Sequence, residues 1–202
     1  MPLNKTWVTH CQYITMLNQG LASISSDSFT RAYQIMRRNV MNTLYTMGNG
    51  GSAAIADHFV CDYSKGINTD GGIKPGSCGR AVSLCSNGPL IMAISNDIGY
   101  DSVFEQQLEY LQDDQAVALA ISSSGNSLNI LKGLNKAREM GYETIALVGF
   151  DGGAVLRDSL ADVIIHVNVN NYGVVEDAHH IIMHSLTQQI RTDLAQDKVL
   201  KL

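Results

Sequence analysis

The sequence predicts an α/β fold, a three-layer α/β/α sandwich with a five-stranded parallel sheet, on three observations. Short apolar runs alternate with helix-length segments, glycine- or serine-rich loops follow two of the runs, and no repeat or Pro-rich linker divides the chain. Apolar runs of four to six residues separated by helical patterns are typical of right-handed βαβ units around a buried parallel sheet. We therefore expect a single domain over residues 1–202.

The elements are predicted in chain order as follows. From about Val8 the chain is mainly helical, and polar residues at Ser23–Ser28 can end one helix and cap the next. We interpret residues up to about 43 as an N-terminal helical arm or hairpin. Strands are then predicted at Leu44–Met47, Ala81–Cys85, Ala116–Ile121, Thr144–Val148 and Val163–Val167.

Composition and charge exclude several classes of function. With 45% apolar and 16% charged residues, the chain can bury a sizeable core. A net charge of −5 without basic blocks argues against nucleic acid or an anionic membrane surface as the main partner. No apolar run has the length of a signal peptide or a spanning helix, and the four cysteines show no C-x-x-C pair. These features predict a soluble protein of the reducing cytoplasm.

The segment Ile121–Ser127 carries the strongest functional signal, because a polar loop here joins a predicted strand to a predicted helix, Leu128–Met140. Backbone N–H groups and the helix dipole attract anions at such a helix N-terminus. The hydroxyls of Ser122, Ser124 and Ser127 could add donors, which suits the phosphate of a small molecule. The alternative is an ordinary Ser-rich turn with an N-cap.

A second loop, Gly48–Ser52, follows the first strand and opens a helix at Ala53. Its glycines permit positive φ and close backbone approach, while Asn49 and Ser52 supply side-chain donors. With Ala53 the loop also fits the dinucleotide fingerprint G-x-G-x-x-A. That fingerprint expects an acidic residue after the next strand, and Cys85–Gly88 contains none, so NAD is disfavoured.

Two helices carry stripes of histidines and carboxylates. His58 and Asp62 lie four residues apart on one helix, and Glu176, His180 and His184 follow one another at spacings of four on the last helix. Such side chains can ligate Zn²⁺ or a similar ion, or act as general acids and bases. An exposed ion pair or a solvated face is the alternative for a single stripe.

Two such stripes in a chain with only six histidines favour a functional site. Three neighbouring residues are predicted to lie outside it. His179 and Asp177 point away from the second stripe, and Cys61 is interpreted as a small, buried apolar residue.

At these residues the chain resembles the phosphoheptose isomerases of the SIS (sugar isomerase) domain family. The resemblance extends from about Asn42 to Arg191, and the N-terminal helices suit it. The segments that carry it are Gly48–Ala54, His58, Ile94–Tyr100, Ile121–Ser127, Ile145–Gly153 and the helix Glu176–His184.

The resemblance implies an aldose–ketose isomerase that converts sedoheptulose 7-phosphate to D-glycero-D-manno-heptose 7-phosphate through an enediolate, for the heptose of surface polysaccharide. It implies a homotetramer with sites between subunits, and one Zn²⁺ per site. Four residues match the zinc positions: His58, Asp62, Glu176 and His184. The matched catalytic candidates are His184, Glu176 and Asp62. The matched substrate-binding residues are Asn49, Gly50, Ser52, Asp97, Ser122, Ser123, Ser124, Ser127 and Glu176.

The chain departs from the family pattern at four places. Asp62 stands where the family usually has Glu, and Glu176 stands where the isomerases usually have Gln. His180 replaces a residue that is usually apolar, and Lys65-Gly66 replaces the usual Gly-Arg. Two alternatives to the heptose isomerase follow, namely an isomerase of another phosphosugar, and a non-catalytic phosphosugar sensor or tetrameric adaptor of the kind that binds a replication initiator.

Overall fold

The computed structural model describes residues 5–70 and 79–199, so that Cys78 lies outside the described residues. Two helices precede the first strand, α1 (Lys5–Ala22) and α2 (Ser26–Arg38). The side-chain oxygen of Ser25 accepts from the N–H of Ser28 and caps α2, as polar residues in this segment predict.

The remaining elements alternate between strands and helices. They are β1 (Thr43–Gly48), α3 (Gly51–Cys61), a π-helix (Asp62–Asp70), β2 (Ala81–Ser83), α4 (Gly88–Asp97), a 3₁₀ turn (Tyr100–Ser102), α5 (Val103–Leu111), β3 (Ala116–Ser122), α6 (Leu128–Glu139), β4 (Glu143–Val148), α7 (Gly153–Arg157), β5 (Val163–His166) and α8 (Tyr172–Val199). All five predicted strands are present, with β2 two residues shorter than predicted. The predicted α/β fold with a five-stranded parallel sheet is confirmed.

The strand order is β2-β1-β3-β4-β5, which places the two ligand-type loops side by side. From β1 the chain moves outward to β2, then returns across β1 to begin β3 on its other side. The connections after β1 and β3 therefore diverge, and they leave a crevice at the carboxyl ends of these strands. This is where open parallel sheets bind ligands.

Alternate residues of each strand face two separate cores. In β3, Val117, Leu119 and Ile121 pack with α2, α3 and α8, whereas Ala118 and Ala120 pack with α5 and α6. The small alanines permit close approach of α6 to the sheet. The larger side chains of β3 therefore lie on the face of the sheet that packs with α8, the helix that carries the second histidine stripe.

Among the described residues, none of the helices combines the length and apolarity that crossing a membrane requires.

Candidate active site

A cavity of about 140 Å³ lies at the crevice between β1 and β3. Side chains from both predicted ligand loops and from α8 form its wall. The lining residues are Asn49, Ser52, Ile121, Ser122, Ser123, Ser124, Ser127, Tyr172 and Glu176. The structure thus brings together most of the residues that the sequence predicts for phosphosugar binding.

The loop after β3, residues 122–127, which we call the serine loop, is folded so that its hydroxyl groups can still donate hydrogen bonds. The hydroxyl oxygen of Ser122 accepts from the N–H of Gly125 at 3.2 Å, and that of Ser124 accepts from the N–H of Asn126 at 3.3 Å. Each hydroxyl therefore acts here as an acceptor and can still donate to a ligand. Ser127 occupies the N-cap position of α6 but makes no side-chain cap bond. A capped Ser-rich turn would use that hydroxyl, so this geometry favours an anion site.

The loop after β1 is fixed by paired amides. Asn49 and Asn129 donate to each other's side-chain oxygens at 2.9 Å, and the hydroxyl of Tyr100 donates to Asn49 Oδ1 at 2.8 Å. Asn49 therefore connects the loop to α6 and to the segment after α4. Gly50 has φ +55° and opens α3, and Ser52 is buried in its first turn. These contacts make the β1 side of the cavity a pre-formed wall.

Glu176 contributes a carboxylate to the same cavity from α8. A Cβ added to Gly51 would lie 2.5 Å from Glu176 Oε2, so only glycine at the start of α3 leaves room for this carboxylate. The N-terminus of α3 carries the positive end of the helix dipole, which favours a negative group there. Glu176 thus lies between the serine loop and the N-terminus of α3.

A second group of side chains, His58, Asp62 and His184, lies beyond Glu176. Their ligand-type atoms all fall within 4.8 Å of one another. Nε2 of His58 is 3.6 Å from Asp62 Oδ1, and Nε2 of His184 is 3.4 Å from Asp62 Oδ2. We call these three residues the His–Asp group. The two histidines are 44% and 42% exposed and Asp62 is 33% exposed, so an ion can reach them from solvent.

The two histidine–aspartate distances in the His–Asp group suit ligands of one metal ion. Two atoms that are each bound about 2.0–2.1 Å from Zn²⁺ lie roughly 3.3 Å apart. The observed 3.4 and 3.6 Å are close to that value and longer than a good N–H···O hydrogen bond of about 2.7–3.2 Å. Two imidazoles and one carboxylate are also a ligand set that catalytic zinc sites use.

His180 adds a third imidazole beside this group. Its Nε2 lies 3.4 Å from Nδ1 of His58, and its ring stacks on that of His184 at a centroid distance of 6.0 Å. Partial burial lowers the pKa of His180, and the neighbouring His58 and His184 lower it further.

Not every predicted site residue joins these two groups. Glu176 is absent from the His–Asp group, and it precedes His184 by two turns of α8, about 12 Å of helix rise. Asp97 is exposed at the end of α4, where its Oδ1 accepts from Asn96, and it does not line the cavity. The interpretation of Cys61 as buried is wrong: it ends α3 on an exposed side of the helix.

The region where Lys65-Gly66 departs from the family pattern forms part of another cavity. This cavity measures about 170 Å³ and adjoins the His–Asp group through Asp62. Its lining residues are Asp62, Lys65, Gly66, Thr187, Gln188 and Arg191. Sequence reasoning did not single out Arg191, although its position seven residues after His184 puts it on the same face of α8 as the histidine stripe.

Comparisons with known proteins agree with this geometry. A family model described as the SIS domain matches residues 10–149, and the chain belongs to that family. A phosphoheptose isomerase of Geobacter sp. (strain M21) is 32% identical over 185 residues, which cover 92% of this chain and 92% of that protein. A phosphoheptose isomerase of Aliarcobacter butzleri is 35% identical over 154 residues, covering 76% of this chain and 78% of the relative. This chain is therefore grouped with the phosphoheptose isomerases of the family.

A solved structure supports the same assignment. The phosphoheptose isomerase GmhA from Neisseria gonorrhoeae superposes with a TM-score of 0.80 and is 27% identical, covering 93% of this chain and 97% of that one.

Proposed function

We propose that this protein is a phosphosugar aldose–ketose isomerase that converts sedoheptulose 7-phosphate to D-glycero-D-manno-heptose 7-phosphate. The observation that carries the proposal is the arrangement of two chemically different groups along α8. A hydroxyl-rich loop suited to phosphate lies beside the first turns of α8, the His–Asp group includes His184 near the middle of that helix, and Glu176 lies between them. The relatives named phosphoheptose isomerase support the choice of substrate.

The distance along α8 between Glu176, which lines the cavity of the serine loop, and His184 of the His–Asp group suits a long sugar phosphate. An open-chain heptose 7-phosphate spans roughly 9 Å from C1 to phosphorus, given C–C bonds of about 1.5 Å. Glu176 and His184 are separated by about 12 Å of helix rise along α8, which is of the same order as that length. A substrate whose phosphate is held by the serine loop would therefore place C1 and C2 between Glu176 and the His–Asp group.

In this proposal each part of the site has its own role. Ser122, Ser123, Ser124 and Ser127 donate to the phosphate, together with the N-terminus of α6. Asn49, Gly50 and Ser52 form the wall beside the sugar, and Asp97 contacts substrate only if another subunit completes the site. The chain would then act as a homotetramer, in the cytoplasm, in the synthesis of heptose for surface polysaccharide.

The chemistry requires a proton to move between neighbouring carbons. A base removes the C1 proton beside the C2 carbonyl, an enediolate forms, and a proton is delivered to C2 while the hydroxyl proton passes from O1 to O2. We assign the base to Glu176, because its carboxylate lines the cavity and lies outside the His–Asp group. His184 and Asp62 are the candidates for moving the second proton.

A zinc ion would be held by His58, Asp62 and His184, whose spacing fits it. When bound, Zn²⁺ would supply a positive charge that stabilises a developing oxyanion. Glu176 would contribute to the negative potential near the metal position.

The experiment that tests the proposal is turnover of sedoheptulose 7-phosphate by the purified full chain, first stripped of metal and then supplied with Zn²⁺. The aldose product is resolved by chromatography, because the two isomers have the same mass. Formation of that aldose supports the proposal, and zinc-dependent formation supports the metal role. If phosphosugars raise the melting temperature but no product forms, the protein is a phosphosugar binder and the proposed reaction is wrong.

A further inference from the structure

His58 lies between two partners that contact opposite edges of its ring. Its Nδ1 is 3.4 Å from Nε2 of His180, and its Nε2 is 3.6 Å from Oδ1 of Asp62. His184 approaches the other oxygen of Asp62. The two ring nitrogens of His58 therefore face different chemical environments, one the imidazole of His180 and the other the carboxylate of Asp62.

The tautomer of His58 therefore decides whether its Nε2 can ligate a cation. A neutral imidazole carries one N–H, so one nitrogen donates and the other offers a lone pair. With the proton on Nε2, that N–H would face Asp62, and His58 could not ligate a cation there. With the proton on Nδ1, His58 can donate to His180, and the lone pair on Nε2 faces Asp62 and His184.

We infer that His180 is a positioning residue, whose Nε2 accepts the Nδ1–H of His58 and thereby holds His58 with its Nε2 lone pair directed into the His–Asp group. Metal-ligating histidines are commonly oriented in this way by an acceptor for their other ring nitrogen. Here the acceptor and His184 both come from α8, one helical turn apart. The effect on zinc affinity rests on the proposed function, whereas the effect on the tautomer does not.

The geometry distinguishes this role from direct ligation by His180. Among the described residues, the set whose ligand atoms lie within 4.8 Å of one another contains His58, Asp62 and His184 and excludes His180. The contact of His180 is with Nδ1, the nitrogen of His58 that is directed away from Asp62. His180 therefore acts through His58.

The first test measures tautomers in the metal-free full chain by ¹⁵N–¹H correlation of the histidine rings, at a pH of about 8 that keeps imidazoles neutral. We expect the proton of His58 on Nδ1 in the natural protein and a shift toward Nε2 in His180→Leu. His180→Gln should restore the Nδ1–H form, because its side-chain oxygen can accept. His10→Leu is the matched control, since His10 is an exposed histidine on α1 that stacks on Trp7.

The second test measures zinc affinity by competition with a chelator. His180→Leu should bind about 10–100-fold more weakly, as expected for loss of a ligand's orienting partner, and His180→Gln should recover most of the loss. X-ray absorption at the zinc edge should count the same number of imidazoles in the natural protein and in His180→Leu. The melting temperature of each variant shows that it is folded.

Three results would overturn the inference: a proton on Nε2 of His58 in the natural protein, an unchanged zinc affinity in folded His180→Leu, or a loss of one imidazole ligand in that variant. The last would make His180 a ligand itself. A natural protein that has the Nδ1–H form but does not turn over sedoheptulose 7-phosphate would refute only the proposed function.

Discussion

At the scale of single residues, the buried hydroxyl of Ser123 is a specific candidate for a phosphate contact. The residue is 6% exposed, it lines the cavity, and its Oγ has no hydrogen-bond partner among the described residues. A buried polar group without a partner costs roughly 1–3 kcal/mol of folding free energy. A phosphate oxygen in the cavity would provide the missing partner.

Ser123→Ala should therefore separate stability from binding. The ligand-free variant should unfold at the same or a slightly higher urea concentration, because the unpaired hydroxyl is removed. Its phosphosugar affinity should fall about 10–100-fold, the value of a hydrogen bond to a charged group of roughly 1.5–3 kcal/mol. Urea unfolding and calorimetric titration measure the two effects, and an unchanged affinity would exclude Ser123 from the phosphate site.

Glu176 is the residue on which the proposed proton transfer depends. Glu176→Gln keeps the size of the side chain but removes the base, so turnover should fall by roughly two or more orders of magnitude. Phosphosugar affinity should change far less, because the serine loop is intact. Glu139→Gln, an exposed substitution on α6 in an i,i+3 ion pair, is the matched control. Near-normal turnover in Glu176→Gln would assign the proton transfer to another group, with Asp62 and His184 the next to test.

At the scale of elements, the serine loop is held in place by the loop between β4 and α7. Gly125 has φ +63°, and a Cβ there would lie 2.1 Å from the carbonyl oxygen of Gly152. The carbonyl of Gly125 accepts from Val155 N–H at 3.0 Å, and Oδ1 of Asn126 accepts from Ala154 N–H at 2.9 Å. The two loops thus form one rigid unit behind the cavity.

Gly125→Ala should lower the free energy of unfolding by more than backbone strain alone would, because the added Cβ would also push the two loops apart. Gly141 provides the comparison, because it has φ +77° but no atom within 4 Å of an added Cβ. Gly141→Ala should cost about 1 kcal/mol of unfolding free energy through backbone strain, and Gly125→Ala should cost clearly more. Only Gly125→Ala should also weaken stabilisation by phosphosugar. Equal costs in urea unfolding would mean that the loops separate easily.

The sequence predicts the strands and their loops well, for a physical reason. Each strand is an apolar run bounded by turn residues, and Ala116–Ile121 is apolar throughout because both of its faces are buried. Strand order has no such local signal, since it depends on which crossovers pack. The two ligand loops could therefore be predicted from the sequence. That they meet at one crevice, between β1 and β3, could not be derived from periodicity, because it depends on the strand order.

Details of the site depend on tertiary contacts that spacing cannot reveal. Glu176 and His184 share a helical stripe, yet the Glu176 carboxylate turns toward Gly51, where the missing side chain leaves space. Asp62 was expected on one helix with His58, but the α-helix ends at Cys61 and a π-helix begins at Asp62. The side chains of His58 and Asp62 are still close, because the α-helix becomes a π-helix only at Asp62, the last residue of the four-residue spacing.

At the scale of the whole molecule, His179 links folding stability to pH. It is fully buried on α8, and burial lowers its pKa to about 4. Among the described residues neither ring nitrogen has a hydrogen-bond partner of good geometry, and the nearby Val148 backbone offsets only part of the burial effect. The folded protein therefore holds this imidazole neutral, whereas the unfolded chain protonates it near its ordinary pKa of about 6.5.

The sign of the pH dependence follows from this difference. Above pH 6.5 both states are neutral at His179 and the group has no effect on unfolding. As the pH falls below 6.5 the unfolded chain binds the proton first, so stability is lost progressively toward pH 4. Between pH 7.5 and pH 5 the expected loss from this one group is about 2 kcal/mol.

His179→Gln should remove that loss, because glutamine is polar but does not titrate. The comparison uses the change in unfolding free energy between pH 7.5 and pH 5, measured in urea, so that any constant destabilisation by the substitution cancels. The lowered pKa of His180 acts in the same direction in both proteins, so its effect cancels except for the coulombic coupling between His180 and His179. His10→Gln, at an exposed position, should retain the natural pH dependence. If His179→Gln retained it too, His179 would have to accept its proton within the folded protein, and the acid sensitivity would belong to another group.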